Sequence, residues 1–180
     1  MDDREILAAL REEGNENYAF NLLVRKYSQR LYWHIRRAVL DHDDADDLLQ
    51  NTFIKAWKNL PYFREESRLY TWLYRIATNE TINFLKSKRL RTMLSMSGHE
   101  SSIADRLASD PYFTGDEISR RLYQAISKLP PRQKMIFNMR YFDELKFTEI
   151  AEILNRSVGA VKASYHHAFT KMQDILNEND

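Results

Sequence analysis

The residues best suited to chemistry lie between Phe63 and Arg89, where a short polar loop runs into a helical pattern with two differently built faces. Leu69, Trp72, Leu73, Ile76 and Ala77 recur at helical spacing and form an apolar stripe. A second stripe reads Arg68, Arg75, Asn79, Ile82, Lys86 and Arg89, mostly cations and amides. Such groups hold phosphates and offer paired donors and acceptors to base edges. A plain solvated helix face would carry the same residue types, so the neighbouring segments decide between the two. Ser67 is placed as the helix N-cap, because its hydroxyl can accept from an orphan amide of the first turn.

Two metal readings fail on spacing. In the Asp-rich run from Asp41, the glycine of a calcium loop would fall on Asp46 and its bidentate Glu on Thr52. His166 and His167 are adjacent, so they point about 100° apart on a helix and cannot form an i, i+4 pair. The absence of cysteine excludes disulfides and thiolate sites. With no glycine-rich phosphate loop, no ligand set and no nucleophile signature, no cofactor or metal is expected and an enzyme is disfavoured.

The elements that must position these groups are helices. The chain has 180 residues, 43% hydrophobic, with four Gly and four Pro, and strand-like alternation is nearly missing. This predicts an all-α protein of two small helical domains. Residues 2–13 and 15–39 read as helices broken at Gly14, with Phe20, Leu23, Val24, Tyr27, Leu31, Ile35 and Val39 facing a core. After the Asp run, Leu49, Phe53, Ala56, Trp57 and Leu60 are expected inside. Asp46, Asp47, Gln50, Asn51 and Ile54 then form a mixed outer face, either solvated or for docking. Pro61 closes that helix.

Residues 92–116 are rich in Ser, Asp and Gly, with Met93, Leu94, Met96, Ile103 and Leu107 scattered. They are expected to be a flexible linker, partly ordered at most, between domains at 1–91 and 117–180. Beyond it, Ile118, Leu122, Ala125, Ile126 and Leu129 share a helix face, and Pro130-Pro131 separate that helix from Arg132–Tyr141. Residues 145–169 read as a helix-turn-helix: Thr148 and Ser157 as caps, Ile150 and Leu154 inward, Ala151 at the crossing, Asn155 at the turn and Val161 as anchor. Arg156, Ser157, Gly159, Lys162, Ala163, His166 and His167 occupy the N-terminal half of the second helix or its approach, the part that enters a major groove.

Net charge is only +1, but the charge is sorted. Residues 41–49 carry five Asp and no Lys or Arg; residues 61–91 carry seven Lys/Arg against three Glu. Residues 92–118 carry one Arg against five acids, and 131–172 seven Lys/Arg against four acids. Two basic blocks separated by acidic ones fit two contacts with a polyanion and one with something else. The charged N-terminus lacks a secretory pattern and no run is long enough to span a bilayer, so a soluble, cytoplasmic protein without membrane insertion is expected.

Three motifs in order give the chain its resemblance to a family: Asp46-Asp-Leu-Leu-Gln-Asn-Thr-Phe-Ile-Lys-Ala-Trp57, the stretch from Phe63 through Tyr70-Thr-Trp-Leu-Tyr-Arg to Asn79, and Leu129-Pro-Pro-Arg-Gln133 before the helix-turn-helix. The chain resembles the extracytoplasmic-function group of bacterial RNA polymerase sigma factors. The resemblance implies sigma domain 2 at 1–91 and sigma domain 4 at 117–180. It also implies core RNA polymerase, through its β′ clamp and β flap, as the partner. Asp46, Asp47, Gln50, Asn51 and Ile54 would dock on the clamp. Phe63, Arg64, Ser67 and Arg68 would take a base flipped from the −10 element, which is bound as single strand. Tyr70, Trp72, Tyr74, Arg75, Asn79, Lys86 and Arg89 would follow on the helix that melts and reads it, with Trp72 mostly core. The helix-turn-helix would read the −35 element as duplex, and an anti-sigma factor is a common partner of the family.

The chain departs from the family pattern at Asn51, where Glu is usual, and at Ser164 and His167, where Arg is usual. Loss of two Arg positions removes bidentate guanine reading and leaves shape and backbone contacts a larger share. The alternative is a stand-alone helix-turn-helix repressor or activator, which would be a dimer on palindromic half-sites.

Overall fold

The computed structural model describes residues 2–95, 100–113 and 115–178, without the side chains of residues 100–102 and 104. Met96 of the expected linker lies outside them. Among the described residues there are nine α-helices, one 3-10 turn and no strand.

Helix α1 (Asp3–Arg11) is short, and Gly14, at φ +88°, turns the chain into α2 (Glu16–Val39). Asp3 pins the two together, accepting from the Lys26 ammonium and the Tyr27 hydroxyl at 2.6 Å each. Leu23, Tyr27, Leu31, Ile35 and Val39 are buried along α2, while Phe20 and Val24 lie at its margin. Leu40 ends the helix in the left-handed region (φ 60°), a conformation that costs a non-glycine residue energy. Its side chain is held under Leu107 and Phe113.

Helix α3 (His42–Asn59) starts where Asp41 accepts the Asp44 amide at 2.9 Å. Its inner surface is Ala45, Leu48, Thr52 and Ala56, smaller than expected, and Leu60 is buried in the 3-10 turn (Leu60–Tyr62) that follows. The two alanines let α3 lie close to its neighbours, so Leu49 and Phe53 move to the edge and Trp57 is 40% exposed, its ring set against Phe20.

Helix α4 (Leu69–Leu94) is capped differently from expectation. Arg68 occupies the N-cap position and no side chain caps it; Ser67 lies one residue too early. Leu69, Leu73 and Ala77 are buried as predicted, but so are Thr71, Tyr74, Thr78, Thr81, Ile82 and Leu85. The helix is covered on more than one side, so Ile82 (4% exposed) leaves the polar stripe and joins the core.

Within the expected linker, Glu100–Ser109 form a helix, α5. Leu107 and Phe113 are buried against Leu40, and Asp110 binds the buried Arg36 guanidinium, which also lies 4.8 Å from the Phe113 ring. The segment is thus strapped across the end of α2.

The C-terminal half contains α6 (Glu117–Ser127), α7 (Pro131–Tyr141), α8 (Phe147–Leu154) and α9 (Val158–Asn177). Asp116 caps α6, accepting the Ser119 amide at 2.8 Å, and Ile118 on its first turn is 77% exposed rather than on the inner face. Lys146, not Thr148, stands at the N-cap of α8, where its amide donates to the Glu149 carboxylate at 2.8 Å. Thr148 sits within the first turn. Asn155 is left-handed (φ 51°), Ser157 accepts the Ala160 amide at 3.1 Å, and Ile150, Ala151, Ile153 and Val161 are buried, which completes a helix-turn-helix. Leu154 is only half-buried; Ile153 takes its inward place.

Two clusters make the interior of this half. Ala125, Ile126, Leu129, Phe137, Ala168 and Met172 form one of their own. Met135, Ile136, Met139, Leu145, Ile150, Ala151, Ile153 and Val161 instead continue the core of α1–α4. The N-terminal and C-terminal helices therefore close on each other along a seam of α2 and α4 against α7 and α8. Among the described residues no helix is long and apolar enough to cross a membrane.

Candidate nucleic-acid interface

The acidic run divides by function. Asp41 is a cap and Asp44 takes the Lys88 ammonium at 2.8 Å, so both are occupied within the fold. The Asp44 amide, with help from Arg106 and Lys88, holds the Asp41 carboxyl below its ordinary range against the opposing effect of burial. Asp46, Asp47, Gln50, Asn51 and Ile54 all point outward, Ile54 with 45% of its surface exposed. Asp46 lies 3.3 Å from the His42 ring. Among the described residues no group of three or more His, Asp or Glu is arranged to hold a metal ion.

The loop before α4 turns through Glu65 at φ 57°, where its carboxylate accepts from Arg11 at 2.8 and 2.9 Å. Phe63 is half-buried, its ring 5.1 Å from that of Trp72, which is half-buried too. Arg64 and Arg68 are exposed, and Ser67 is half-buried. An open cleft of about 660 Å³ lies here, lined by Glu66, Ser67, Arg68 and Arg75, with Glu152 and Asn155 from α8 and its turn. It has room for a nucleobase.

The middle of α4 is closed over. Tyr74 has no exposed surface, and its ring contacts those of His34 and Tyr70, with centroids at 4.9 and 4.4 Å. Burial pushes the Tyr70 hydroxyl up to about 12 and the Tyr74 hydroxyl higher still, so both stay neutral at physiological pH. Arg75 donates to the backbone carbonyls of Glu152 (2.6 Å) and Ile153 (3.2 Å) at the end of α8. A cation at a helix C-terminus is favourably placed for the dipole. Further along, Asn79, Lys86 and Arg89 are exposed.

Beyond the turn that borders this cleft, Arg156, Ser157, Gly159, Lys162, Ala163, His166 and His167 are all exposed on or just before α9. A Cβ at Gly159 would meet nothing within 4 Å, so the backbone there is open to close approach. Ser164 is half-buried and turned from this face.

Sequence reasoning missed one cluster on the seam. His34 (1% exposed) binds Asp143 through Nδ1 at 2.9 Å and Thr78 through Nε2 at 2.9 Å. Arg37 donates to the other Asp143 oxygen at 2.8 Å. Burial raises the Asp143 carboxyl, but His34 and Arg37 outweigh it and hold the group below the ordinary carboxylate range. The available signal was a histidine between the apolar positions Leu31 and Ile35 of α2; its partner is more than a hundred residues away in sequence.

Comparison with known proteins identifies this arrangement. Residues 23–91 match sigma-70 region 2 and residues 119–172 match sigma-70 region 4. The chain is 33% identical over 175 residues to the ECF RNA polymerase sigma factor SigW of Bacillus subtilis, with 93% of each chain covered. It is 32% identical over 172 residues to the ECF RNA polymerase sigma-E factor of Escherichia coli K12, covering 91% of this chain and 89% of the relative. Two solved structures share its fold. CnrH in complex with the cytosolic domain of CnrY matches 97% of this chain and 96% of that one, with TM-score 0.67 and 22% identity. Sigma factor RpoE with the anti-sigma factor NepR from Bartonella quintana matches 88% and 96%, with TM-score 0.64 and 22% identity. The chain belongs to the sigma-70 family of RNA polymerase sigma factors, in its ECF group.

Proposed function

We propose that the chain binds core RNA polymerase and directs promoter-specific initiation through three separate surfaces. The observation that carries the reading is the simultaneous exposure of the α3 acid-amide face and the N-terminal half of α9 on one folded chain. Asp46, Asp47, Gln50, Asn51 and Ile54 dock on the β′ clamp. Phe63, Arg64, Ser67 and Arg68 line the site for an extruded −10 base, and Tyr70, Trp72, Tyr74, Arg75, Asn79, Lys86 and Arg89 follow the opened strand. The helix-turn-helix docks near the β flap and reads −35 duplex through Arg156, Ser157, Gly159, Lys162, Ala163, His166 and His167. The domains are those read from the sequence, 1–91 and 117–180. The protein works in the cytoplasm and carries out no catalysis of its own.

Each DNA surface is modest in charge, and tethering both to one polymerase raises their joint affinity through effective concentration. An anti-sigma factor is the expected regulator, as in the complex of RpoE with the anti-sigma factor NepR. A stand-alone helix-turn-helix repressor would leave the α3 face and the 63–89 stretch without a task.

Run-off transcription with core polymerase on fragments of the host genome tests the reading. New, discrete start sites are expected with the protein and none without it. Arg156→Ala with Lys162→Ala should weaken output from −35-dependent promoters about tenfold and reduce its salt sensitivity. Failure of the wild type both to bind core and to start transcripts would overturn the assignment.

A further inference from the structure

One buried cation has no task in any of the three surfaces. Lys134, on the first turn of α7, is 7% exposed, and among the described residues no carboxylate pairs with it. The charges that face it are Lys88 and Arg89 of α4, the helix packed against α7. A buried ammonium without a partner is costly, and two more cations beside it add to the cost. Lys88 is balanced in part, since its ammonium donates to Asp44 at 2.8 Å and lies 5.4 Å from the Phe84 ring. Arg89 is exposed, and no acid among the described residues pairs with it.

The start of α7 adds donors. Pro130 stands at the N-cap and no side chain caps the helix. Lys134 donates its own amide to the Pro130 carbonyl at 2.9 Å, while the amides of Arg132 and Gln133 have no acceptor within the helix. Helical side chains lean toward the N-terminus, so the Lys134 ammonium lies toward these amides and the positive end of the dipole. We propose that the end of α4 and the start of α7 form a site for a phosphate-type oxyanion, held by Lys134, Lys88 and Arg89 with the first amides of α7. Such an ion has oxygens enough to take charge-assisted bonds from several of these donors at once. A free phosphate ion and a nucleic-acid backbone carry the same chemistry. The site stands whether or not Arg89 also meets the opened −10 strand.

Thermal unfolding of the full chain tests the site, with inorganic phosphate replacing chloride at constant ionic strength and pH 7. The midpoint should rise and saturate, by about 4 °C at ten times the dissociation constant. Lys134→Met should lose the saturable rise, and Arg89→Gln, at an exposed position, should weaken phosphate binding about tenfold. General salting-out by phosphate acts on all three proteins alike and does not saturate. Burial and the two neighbouring cations lower the Lys134 ammonium to about 8, so stability in chloride should rise above that pH. Bound phosphate favours the charged form and should flatten this rise. Phosphorus NMR gives a direct reading, as line broadening with the wild type and none with Lys134→Met. A short DNA duplex that displaces the phosphate assigns the site to a nucleic-acid backbone; phosphate retained beside the duplex assigns it to the free ion. Equal midpoint shifts in the wild type and Lys134→Met, or a rise that never saturates, would overturn the proposal.

Discussion

Helices α3 and α4 pack against each other and have a similar texture in sequence, yet they end in opposite situations. α3 packs through Ala45, Leu48, Thr52 and Ala56 and turns Asp47, Gln50 and Ile54 to the outside. α4 is clasped from both sides, by α2 and α3 and by α7 and α8, so residues on most of its circumference are buried. Residue type does not set the difference, since α4 carries Arg75 and Asn79 where α3 carries Asp47 and Asn51. The number of partners does. A polar face remains a recognition face only while no second layer is laid over it.

This contrast can be broken on either side. On the covered side, Tyr74→Ala should cost about 3–5 kcal/mol of stability in denaturant unfolding, as for other fully buried aromatics. A loss under about 1 kcal/mol would show that the ring is not part of the core. On the open side, Asp47→Ala with Gln50→Ala should lower affinity for core polymerase about a hundredfold, or about 2.7 kcal/mol. The unfolding midpoint of that variant should hardly move, because neither side chain is buried.

A smaller effect separates the sides by pH. Burial, reinforced by Lys88 and Arg89, lowers the Lys134 ammonium from 10.5 to about 8. The unfolded chain thus holds a proton that the folded chain has lost, and stability rises with pH above about 8. The gain should reach roughly 2 kcal/mol before tyrosine ionisation in the unfolded chain reverses it near pH 10. Lys134→Met should remove this rise and be the more stable protein at pH 7, which thermal unfolding across the range would detect.

Most of the fold was legible because it follows from local rules. Gly14, Asp41, Asn155 and Ser157 do what their backbone chemistry dictates, and the apolar periods of α2 and α9 point inward. The misplaced residues are those whose setting depends on packing or on where a helix begins. Ile82 looked polar-facing because nothing near it in sequence announces that α4 is covered on more than one side. Ser67 looked like a cap because its type is right, although the helix begins one residue later. Trp57 looked buried because its size suggests it, but the inner strip of α3 is taken by Ala45, Leu48, Thr52 and Ala56. The His34–Arg37–Asp143 cluster was illegible for the same reason, whereas the outward faces of α3 and α9 needed only helical spacing to be read.

The strap of Asp110 and Phe113 on Arg36 has a consequence for distance. While it holds, the tether between the halves runs only from Phe113 to Glu117, roughly 14 Å of extended chain. Once it lets go, the same tether runs from Leu94 to Glu117 and could span roughly 60 Å with α5 still helical. The contacts of Asp110 and Phe113 with Arg36, and the packing of Leu107 and Phe113 on Leu40, therefore set the length of the leash. Engaged, the strap keeps the C-terminal helices within reach of their own partner; released, it lets them search as far away as an upstream promoter element.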